Sequence, residues 1–452
     1  MKNIFKVQSA ESRMSSNFFF SLNAALFFLL LFFAQTIFAQ VEDSKTVKKD
    51  FAPQDIVRLQ HAHGPMVVKN STNGKVHIEA VFSAKAKDQK NLDIFLDHFD
   101  VKSATRGKLL EISTTSDIES WNSNNKVTTI KFSDGQRAKG IQDIVMSATL
   151  YVPNLEELQL KNKYGDIDLD AKAPDNLTVE LFSGKLETTN SINEFDLTIK
   201  YGKCYIADAK NAKLNLFDSD LRTGNLGTTE VLSKYSECEV MDVNGDFTMQ
   251  TFDDKWEIQN ISGQFKFNDK YSEYKVETFG EADGTVFDGE LIATTGKKLT
   301  LRDSKYSKYK ISSLDELTGH VIFDDDFEIG NIESINVENS KYTSYRIDGL
   351  EDAFSSNQAF DDEIKIGKIA ADFDNVFLEG KYTKMDFFIE KDAQFAVDVA
   401  MQYGKFDHPD FDVRIHKELN SKIELKGFVG KEQTNNTKKL TIKGFDNQVY
   451  WK

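Results

Sequence analysis

Cysteine and proline are both scarce in this chain of 452 residues, which contains two Cys and five Pro. Two cysteines cannot make a disulfide framework, and with so little proline and only 25 glycines no flexible linker divides the chain. Also missing are a phosphate-binding loop, a dinucleotide fingerprint and the turn that presents a nucleophilic serine in hydrolases. These absences exclude a disulfide-held scaffold, and they leave the common motif-bearing enzyme classes without support.

Basic residues are fewer than acidic ones: the chain has 56 Lys and Arg and 72 Asp and Glu, which gives a net charge of −16. Such an acidic surface argues against nucleic acid and anionic lipid as partners. The first 39 residues hold three basic residues and one acidic residue, so their removal changes the net charge from −16 to −18. They also have the pattern of an export signal, with a basic start and an uncharged run rich in Phe and Leu that ends at Ala39.

This pattern predicts that residues 1–39 are a signal peptide cleaved after Ala39. An uncleaved membrane anchor is the alternative, because the uncharged run is long enough to span a bilayer. The chain is then exported to the periplasm, the outer cell surface or the medium, with no membrane span after cleavage. Residues 40–53 are charged and are expected to be a mobile segment.

A short phrase occurs thirteen times between residues 163 and 388, in two alternating versions about 18 residues apart. One version begins with Lys-Tyr, the other begins with Phe followed by Ser or Asp, and an apolar-x-apolar run follows in most of them. Self-similarity at a fixed period is the signature of a repeat architecture. The Lys-Tyr phrases begin at residues 163, 200, 234, 270, 305, 341 and 381, and the Phe phrases at 182, 217, 252, 287, 323 and 360.

Short alternating runs, joined by turns too short for helices, predict an all-β, single-chain parallel β-solenoid whose coils stack about 4.8 Å apart. A coil of about 18 residues places Lys200 over Phe217, whereas the alternative coil of about 35 residues stacks Lys on Lys. Because like charges directly opposite destabilise a sheet, we favour the shorter coil. Cys204 and Cys238 then lie two coils apart, about 10 Å by the same spacing, which is beyond disulfide reach.

The repeat array is predicted over residues 156–452, including a cap at its C-terminal end. Residues 54–155 lack the repeat and are predicted to be a β-rich N-terminal capping domain. One short helix is expected there over residues 88–99, where Leu92, Phe95, Leu96 and Phe99 have helical spacing. Caps are expected because an open end of a solenoid exposes a row of unpaired backbone groups.

The phrases resemble those of the bacterial putative-adhesin domain family, which are exported β-helix proteins of unknown activity. The likeness is carried by residues 164–166 (Tyr-Gly-Asp), 183–185 (Ser-Gly-Lys) and 201–203 (Tyr-Gly-Lys), while later phrases have Ser, Asp or Thr in place of the glycine. The order of export signal, short β region and repeat array is also similar. The resemblance implies an exported β-solenoid, and it brings no catalytic residues.

Three groups of side chains are candidates for a site. His61 and His63 on one face of a strand, with His77 on a paired strand, would suit zinc, although structural histidines are the simpler interpretation. Carboxylate runs in stacked turns would suit calcium, against the simpler interpretation of solvated turns, at Asp324, Asp325, Asp326, Asp361 and Asp362. Tyrosines of the Lys-Tyr phrases would stack against sugar rings if they face outward, and otherwise would fill space at the bends; the candidates are Tyr271, Tyr306 and Tyr342.

We therefore expect a non-enzymatic, exported β-solenoid that acts as an adhesin-like binding or scaffold protein of the cell envelope, with no catalytic residue and no cofactor. Glycans or other envelope components are the expected partners. The first alternative is a carbohydrate-active parallel β-helix enzyme, a lyase or hydrolase, which requires a local groove with clustered carboxylates and bases. The second alternative is a purely structural envelope protein. The sequence indicates no oligomeric state.

Overall fold

The computed structural model describes residues 40–430 and 438–452. The predicted signal peptide, residues 1–39, lies outside the described residues. Within them, no helix is both long enough and apolar enough to cross a membrane. Two compact units are present. The small unit comprises residues 40–45, 81–99 and 116–145, and all other described residues belong to the large unit.

The small unit contains α1 (Gln89–His98), the one helix among the described residues. The Asp88 side chain caps this helix by accepting a hydrogen bond from the N–H of Asn91 at 2.9 Å. Of the residues with helical spacing, Leu92, Phe95 and Leu96 are buried on one face of α1, as predicted. An antiparallel sheet of the same unit consists of β7 (Ile118–Asn124), β8 (Val127–Phe132) and the first part of β9 (Arg137–Val152).

The first coil of the solenoid lies in the N-terminal region of the chain. β2 (Ile56–Ala62) and β3 (Met66–Asn70) pair in parallel with β10 (Glu157–Lys163) and β11 (Ile167–Leu169). The stack therefore begins well before residue 156, the predicted start of the array. Three more strands complete this region: β4 (Val76–Ala86), β5 (Lys102–Arg106) and β6 (Leu109–Ser113), of which β6 pairs in parallel with β2 and β5 runs antiparallel to β6.

The expected mobile segment, residues 40–53, contains a strand instead. β1 (Val41–Phe51) covers most of it, with a burial pattern that alternates between exposed and half-buried residues over its second half. Alternation of this kind is the mark of a strand with one covered face. The charged composition of the segment concealed this period of two, because charged side chains occupy the exposed positions and several of the half-buried ones.

From β10 to β26, each strand pairs in parallel with a strand of the next coil about 18 residues later, and the predicted β-solenoid with this coil length is confirmed. Lys200 pairs with Phe217, and Phe217 with Lys234, so Lys and Phe alternate along the stack. The strands of the array are β12 (Asn176–Phe182), β13 (Lys185–Thr188), β14 (Ile192–Lys200), β15 (Lys203–Ile206), β16 (Ala209–Phe217), β17 (Asp220–Lys234), β18 (Glu237–Val243), β19 (Phe247–Phe252), β20 (Lys255–Lys270), β21 (Glu273–Phe287), β22 (Glu290–Lys305), β23 (Lys308–Phe323), β24 (Asp326–Lys341), β25 (Ser344–Phe360), β26 (Glu363–Ile369), β27 (Asn375–Lys381) and β28 (Lys384–Ile389).

The C-terminal end of the stack does not follow chain order. β29 (Phe395–Gln402) and β30 (Lys405–Asp407) pair with β33 (Lys439–Phe445) and β34 (Gln448–Trp451), which pair in turn with β27 and β28. The last two strands of the chain are thus inserted between coils formed by earlier residues. Beyond β29 the sheet continues in antiparallel fashion through β32 (Lys422–Val429) and β31 (Asp412–Leu419).

The two cysteines lie in one inward-facing column of the core. Cys204 pairs with Leu221, and Leu221 pairs with Cys238, so one whole coil separates the two sulfur atoms. Both thiols are buried and free, and burial raises the pKa of each thiol. The column continues with large side chains, among them Trp256 and Tyr274.

We expect both cysteines to be reduced and unreactive in the folded protein. Protein prepared without reductant should show no rapid reaction with a thiol reagent, because a buried thiol held in its neutral form is a poor nucleophile. After denaturation in guanidinium chloride, two free thiols per chain should react. A denatured sample without free thiols would contradict the register that places Leu221 between the two cysteines.

Candidate functional site

One residue at a bend of each coil has left-handed backbone, with φ between 48° and 68°, and the residue type alternates between Tyr and Asp or Ser along the array. Its N–H donates to a carbonyl of the next coil, as from Tyr201 to Phe217 at 3.0 Å and from Asp218 to Lys234 at 2.9 Å. A left-handed residue other than glycine costs about 1–2 kcal/mol. The hydrogen bond and the packing of the side chain at the bend offset this cost, and at this bend the tyrosines face the solvent.

The tyrosines and phenylalanines at these bends form a continuous surface ladder, which we call the aromatic strip. Neighbouring rings meet edge to face with centroids 5.3–5.8 Å apart, in the favoured geometry for aromatic pairs. Each tyrosine side chain remains 44–56% exposed. The strip consists of Tyr164, Phe182, Tyr201, Phe217, Tyr235, Phe252, Tyr271, Phe287, Tyr306, Phe323, Tyr342, Phe360, Tyr382, Phe445 and Tyr403.

The three tyrosines predicted as stacking residues lie in the middle of this strip. Tyr271, Tyr306 and Tyr342 are 44%, 45% and 47% exposed, so they face outward as the stacking hypothesis requires. A lysine precedes each of them and alternates with Phe in the neighbouring column. The surface therefore repeats every two coils, and each repeat contains one Tyr, one Phe, one Lys and one Asp or Ser. The aromatic rings supply faces for stacking, the Lys supplies a hydrogen-bond donor, and the Asp or Ser supplies an acceptor.

A second feature is an open groove of about 1200 Å³ that crosses eight successive coils. Its first row of side chains, which we call the charged row, comes four residues after each bend and runs from Arg222 to Arg346. Bases and acids of this row are paired between coils, with Arg222–Glu239 at 3.1 Å and Arg346–Glu328 at 2.9 Å. A second row, two residues further along each strand, also lines the groove and is mostly uncharged; it includes Gln259, Thr294 and Ser312.

The charged row is interrupted once, at Ile292. This residue lies in register between Lys275 and Lys310, and the buried Ala293 beside it also lines the groove. Ile292 is not among the candidates that the sequence pattern indicated. A comparison of the fourth residue after each bend would have found this one, because that position is charged in every other coil of the groove.

Inside the same bends, the residue after the left-handed position is buried and forms a polar column. Where the early phrases have glycine, most of the later ones, Gly289 and Gly404 excepted, have a polar side chain, and several of these accept a hydrogen bond from the backbone of the preceding coil. Asp254 accepts from the N–H of Ser236 at 2.7 Å, Asp325 from Ser307 at 2.7 Å and Asp362 from Thr343 at 2.9 Å. The replacement of glycine by Ser, Asp or Thr therefore satisfies buried amides, as buried polar groups require.

The structure does not bring the five calcium candidates together. Asp325 and Asp362 are 2% exposed and face the core, whereas Asp324 and Asp361 occupy the outward left-handed position of coils separated by the coil of Tyr342. Asp326 is engaged by Arg346 at 3.3 Å. Within residues 40–430 and 438–452, no group of three or more His, Cys, Asp or Glu side chains has an arrangement that could hold a metal ion.

The three histidine candidates are also apart, and the expectation that His61 and His63 share a strand face is wrong. The chain bends at His63, whose φ is 64°, so His61 faces the core while His63 stacks on Tyr164 with ring centroids 5.2 Å apart. His61 Nδ1 lies 2.5 Å from Thr114 Oγ1, and burial lowers the pKa of His61 to about 4. His77 contacts Asp50 at 2.9 Å.

No protein-family model and no curated protein matches the chain. Among solved structures, it is similar to a putative cell adhesion protein from Clostridium sporogenes, with 8% identity, TM-score 0.17 and coverage of 90% of this chain and 99% of the other. A putative adhesin from Bacteroides fragilis has 12% identity and TM-score 0.23 and covers 60% and 97%. A putative lipid binding protein from Parabacteroides distasonis has 11% identity and TM-score 0.18 and covers 76% and 96%.

Two of these three proteins are named for adhesion, in line with the family resemblance of the sequence. TM-scores this low carry no argument about function. The function of the chain is therefore inferred from its own aromatic strip and groove.

Proposed function

We propose that this chain is an exported, non-enzymatic, adhesin-like binding protein of the cell envelope, and that its aromatic strip stacks against the sugar rings of a linear glycan. The observation that supports the proposal is the row of eight half-exposed tyrosines, one on every second coil. Solvent-exposed rings in a continuous ladder are costly to leave without a partner, because they hold apolar area in water.

The spacing of the strip suits a polymer rather than a single sugar. Equivalent tyrosines recur every two coils, or about 9.6 Å by the usual strand spacing. Each period adds one Lys donor and one Asp or Ser acceptor beside the rings, so a repeating chain of hydroxyl-rich units meets the same contacts many times. Individually weak contacts then sum along the strip, which is how a repetitive surface gains affinity without a deep pocket.

We expect the triple variant Tyr271→Asn, Tyr306→Asn and Tyr342→Asn to lose at least about tenfold in glycan affinity, because each lost stacking contact removes about 0.5–1.5 kcal/mol. Asparagine is chosen because it tolerates the left-handed backbone at these positions. The measurement is binding of residues 40–452 to a glycan array, followed by titration with the best ligand.

The matched control replaces the acidic residues at the same bend of the alternate coils by the same residue, as Asp288→Asn, Asp324→Asn and Asp361→Asn. This control should retain affinity within about twofold, since no ring is removed and the amide oxygen of each asparagine still accepts a hydrogen bond. Equal losses in both triple variants, or a wild-type protein that binds no glycan on the array, would count against the proposal.

A carbohydrate-active enzyme is the second candidate, because the structure does contain the groove which that hypothesis requires. Three of its carboxylates are engaged by bases, however: Glu239 by Arg222, Glu257 by Lys275 at 3.5 Å and Glu328 by Arg346. Its two other carboxylates, Glu277 and Asp348, lie four coils apart, about 19 Å by the strand spacing. A glycosidase needs two carboxyl groups that face the scissile bond, one of them as proton donor. Carboxylates held in ion pairs favour binding of a glycan over its hydrolysis. Release of new reducing ends from a bound glycan would instead favour the enzyme.

A further inference from the structure

The groove is separate from the aromatic strip. None of the strip residues lines it, because its two rows begin four residues after the bend that carries the strip. Eight coils at about 4.8 Å give it a length of roughly 34 Å, which is far longer than a small metabolite. An open channel of this length suits an extended polymer.

The groove crosses the strands at right angles to their direction, and this geometry disfavours a peptide. An extended peptide gains most of its affinity by adding a strand to a free sheet edge. The strands under the groove are paired on both sides with neighbouring coils, so no backbone donors or acceptors are free for such a partner. The ligand must therefore be recognised by side chains alone.

The charges of the groove disfavour a polyanion. The bases are already compensated, with Lys275 2.9 Å from Glu273 and Lys310 2.9 Å from Glu290, in addition to the arginine pairs at the two ends. The second row adds the carboxylates Glu277 and Asp348. What remains for a ligand is a set of carboxylate acceptors and ammonium or guanidinium donors close together, which matches hydroxyl groups, since each hydroxyl both donates and accepts.

The interruption at Ile292 gives the groove an apolar place at its middle. Ile292 presents aliphatic surface between Lys275 and Lys310, which lie one coil away on either side. A sugar ring has an apolar face of C–H groups and a rim of hydroxyls. Such a ring placed over Ile292 would cover the aliphatic surface while its hydroxyls reach the neighbouring charged side chains.

We propose that the groove is a second binding site, specific for a linear, neutral polysaccharide, with one sugar unit seated over Ile292 and the adjoining units between the two rows. The proposal does not depend on the aromatic strip. Because the ligand is uncharged, its affinity should change little between low and high salt, unlike that of a charged polymer.

The test is calorimetric titration of residues 40–452 with linear neutral hexasaccharides of β-linked glucose, xylose, mannose and N-acetylglucosamine, and with an oligogalacturonate as the anionic comparison. The double variant Thr294→Arg and Ser312→Arg fills the second row and should weaken binding of the neutral ligand at least about tenfold. Asn336→Arg introduces the same side chain at an exposed position of β24 outside the groove and should leave the affinity unchanged.

The outcomes separate this site from the strip. Loss in the groove variant but not in the tyrosine triple variant supports the groove and contradicts stacking on the strip. The reverse pattern overturns the groove site and leaves the proposed function intact. Binding of the oligogalacturonate alone, or no binding of any neutral hexasaccharide by the wild-type protein, also overturns the groove proposal.

Discussion

Replacing Asp325 by asparagine is expected to remove a large part of the pH dependence of stability. Asp325 is 2% exposed; one of its oxygens accepts the Ser307 N–H, and Oδ2 has no hydrogen-bond partner among the described residues. Burial, together with the charges of the nearby Asp324 and Asp303, raises the pKa of its carboxyl from 3.8 to about 7. The groups that face it are the hydroxyls of Ser304 and Tyr309 and these acids, with no base among them.

The direction of the effect follows from the two pKa values. Below about pH 4 the carboxyl is protonated in both the folded and the unfolded protein. The folded protein then buries no charge at this position, so the contribution of the protonated carboxyl to stability is fully present. As the pH rises through 7, the folded protein must hold a buried carboxylate while the unfolded chain ionises freely, so this stability is lost. A difference of about three pKa units corresponds to ~4 kcal/mol in the free energy of unfolding.

The measurement is the free energy of unfolding in urea at several pH values between 4 and 8. The wild-type protein should lose stability over this interval, and Asp325→Asn should lose about 4 kcal/mol less, because an amide keeps the acceptor for Ser307 and cannot ionise. Asp288→Asn, at the equivalent exposed bend position of another coil, is the matched control and should follow the wild-type curve. Parallel curves for wild type and Asp325→Asn would show that this carboxyl does not titrate with a raised pKa.

Asp254 and Asp362 should add to the same trend. Burial raises the pKa of Asp254 to about 6 and that of Asp362 to about 7. All three carboxyls occupy the column where glycine stands in the early phrases. The substitution that satisfies a buried amide thus brings an ionisable group into the core, and the middle of the array becomes sensitive to pH while the coils around Gly184 and Gly202 lack such a group.

Coil length could be predicted from sequence because the pattern of charged and aromatic residues depends on it. The alternation of Lys with Phe is favourable only if successive phrases stack, and the register of Lys200 on Phe217 shows that they do. The direction of the bend side chains could not be predicted, since Tyr and Asp in the left-handed conformation are exceptions to the usual preference for glycine. This conformation places His63 outside and leaves His61 inside, which separates the proposed zinc ligands.

The order of strands at the C-terminal end was missed, although the sequence contains a signal for it. Tyr phrases and Phe-Asp phrases alternate without exception up to Tyr382, and the next bend in chain order, at Tyr403, breaks the alternation. The missing Phe-Asp phrase is Phe445-Asp446, and its strands are those inserted between the coils of Tyr382 and Tyr403. The ring pairs agree with this order of coils, because the ring centroid of Phe445 lies 5.8 Å from that of Tyr382 and 5.3 Å from that of Tyr403.

This insertion predicts that the end of the stack depends on the last strands of the chain. Ile442 in β33 is fully buried and pairs with Leu378 on one side and Val399 on the other. We expect Ile442→Ala to destabilise this region by about 2–5 kcal/mol, because it leaves a cavity between two coils. Lys443→Ala, at the exposed neighbouring position, is the matched control and should change the stability by less than about 0.5 kcal/mol.

The region that loses stability distinguishes insertion of β33 and β34 between earlier coils from stacking of the coils in chain order. Hydrogen exchange of Ile442→Ala should show lost protection in β29 and β32, which are hydrogen-bonded to the rest of the stack through β33, while β20 to β24 keep theirs. Deletion of residues 438–452 should expose β29 to β32 to protease, and a synthetic peptide of that sequence added in excess should restore resistance by refilling the gap as a strand. If β29 instead stacked directly on β27, the deletion would leave β29 protected and the peptide would have no site.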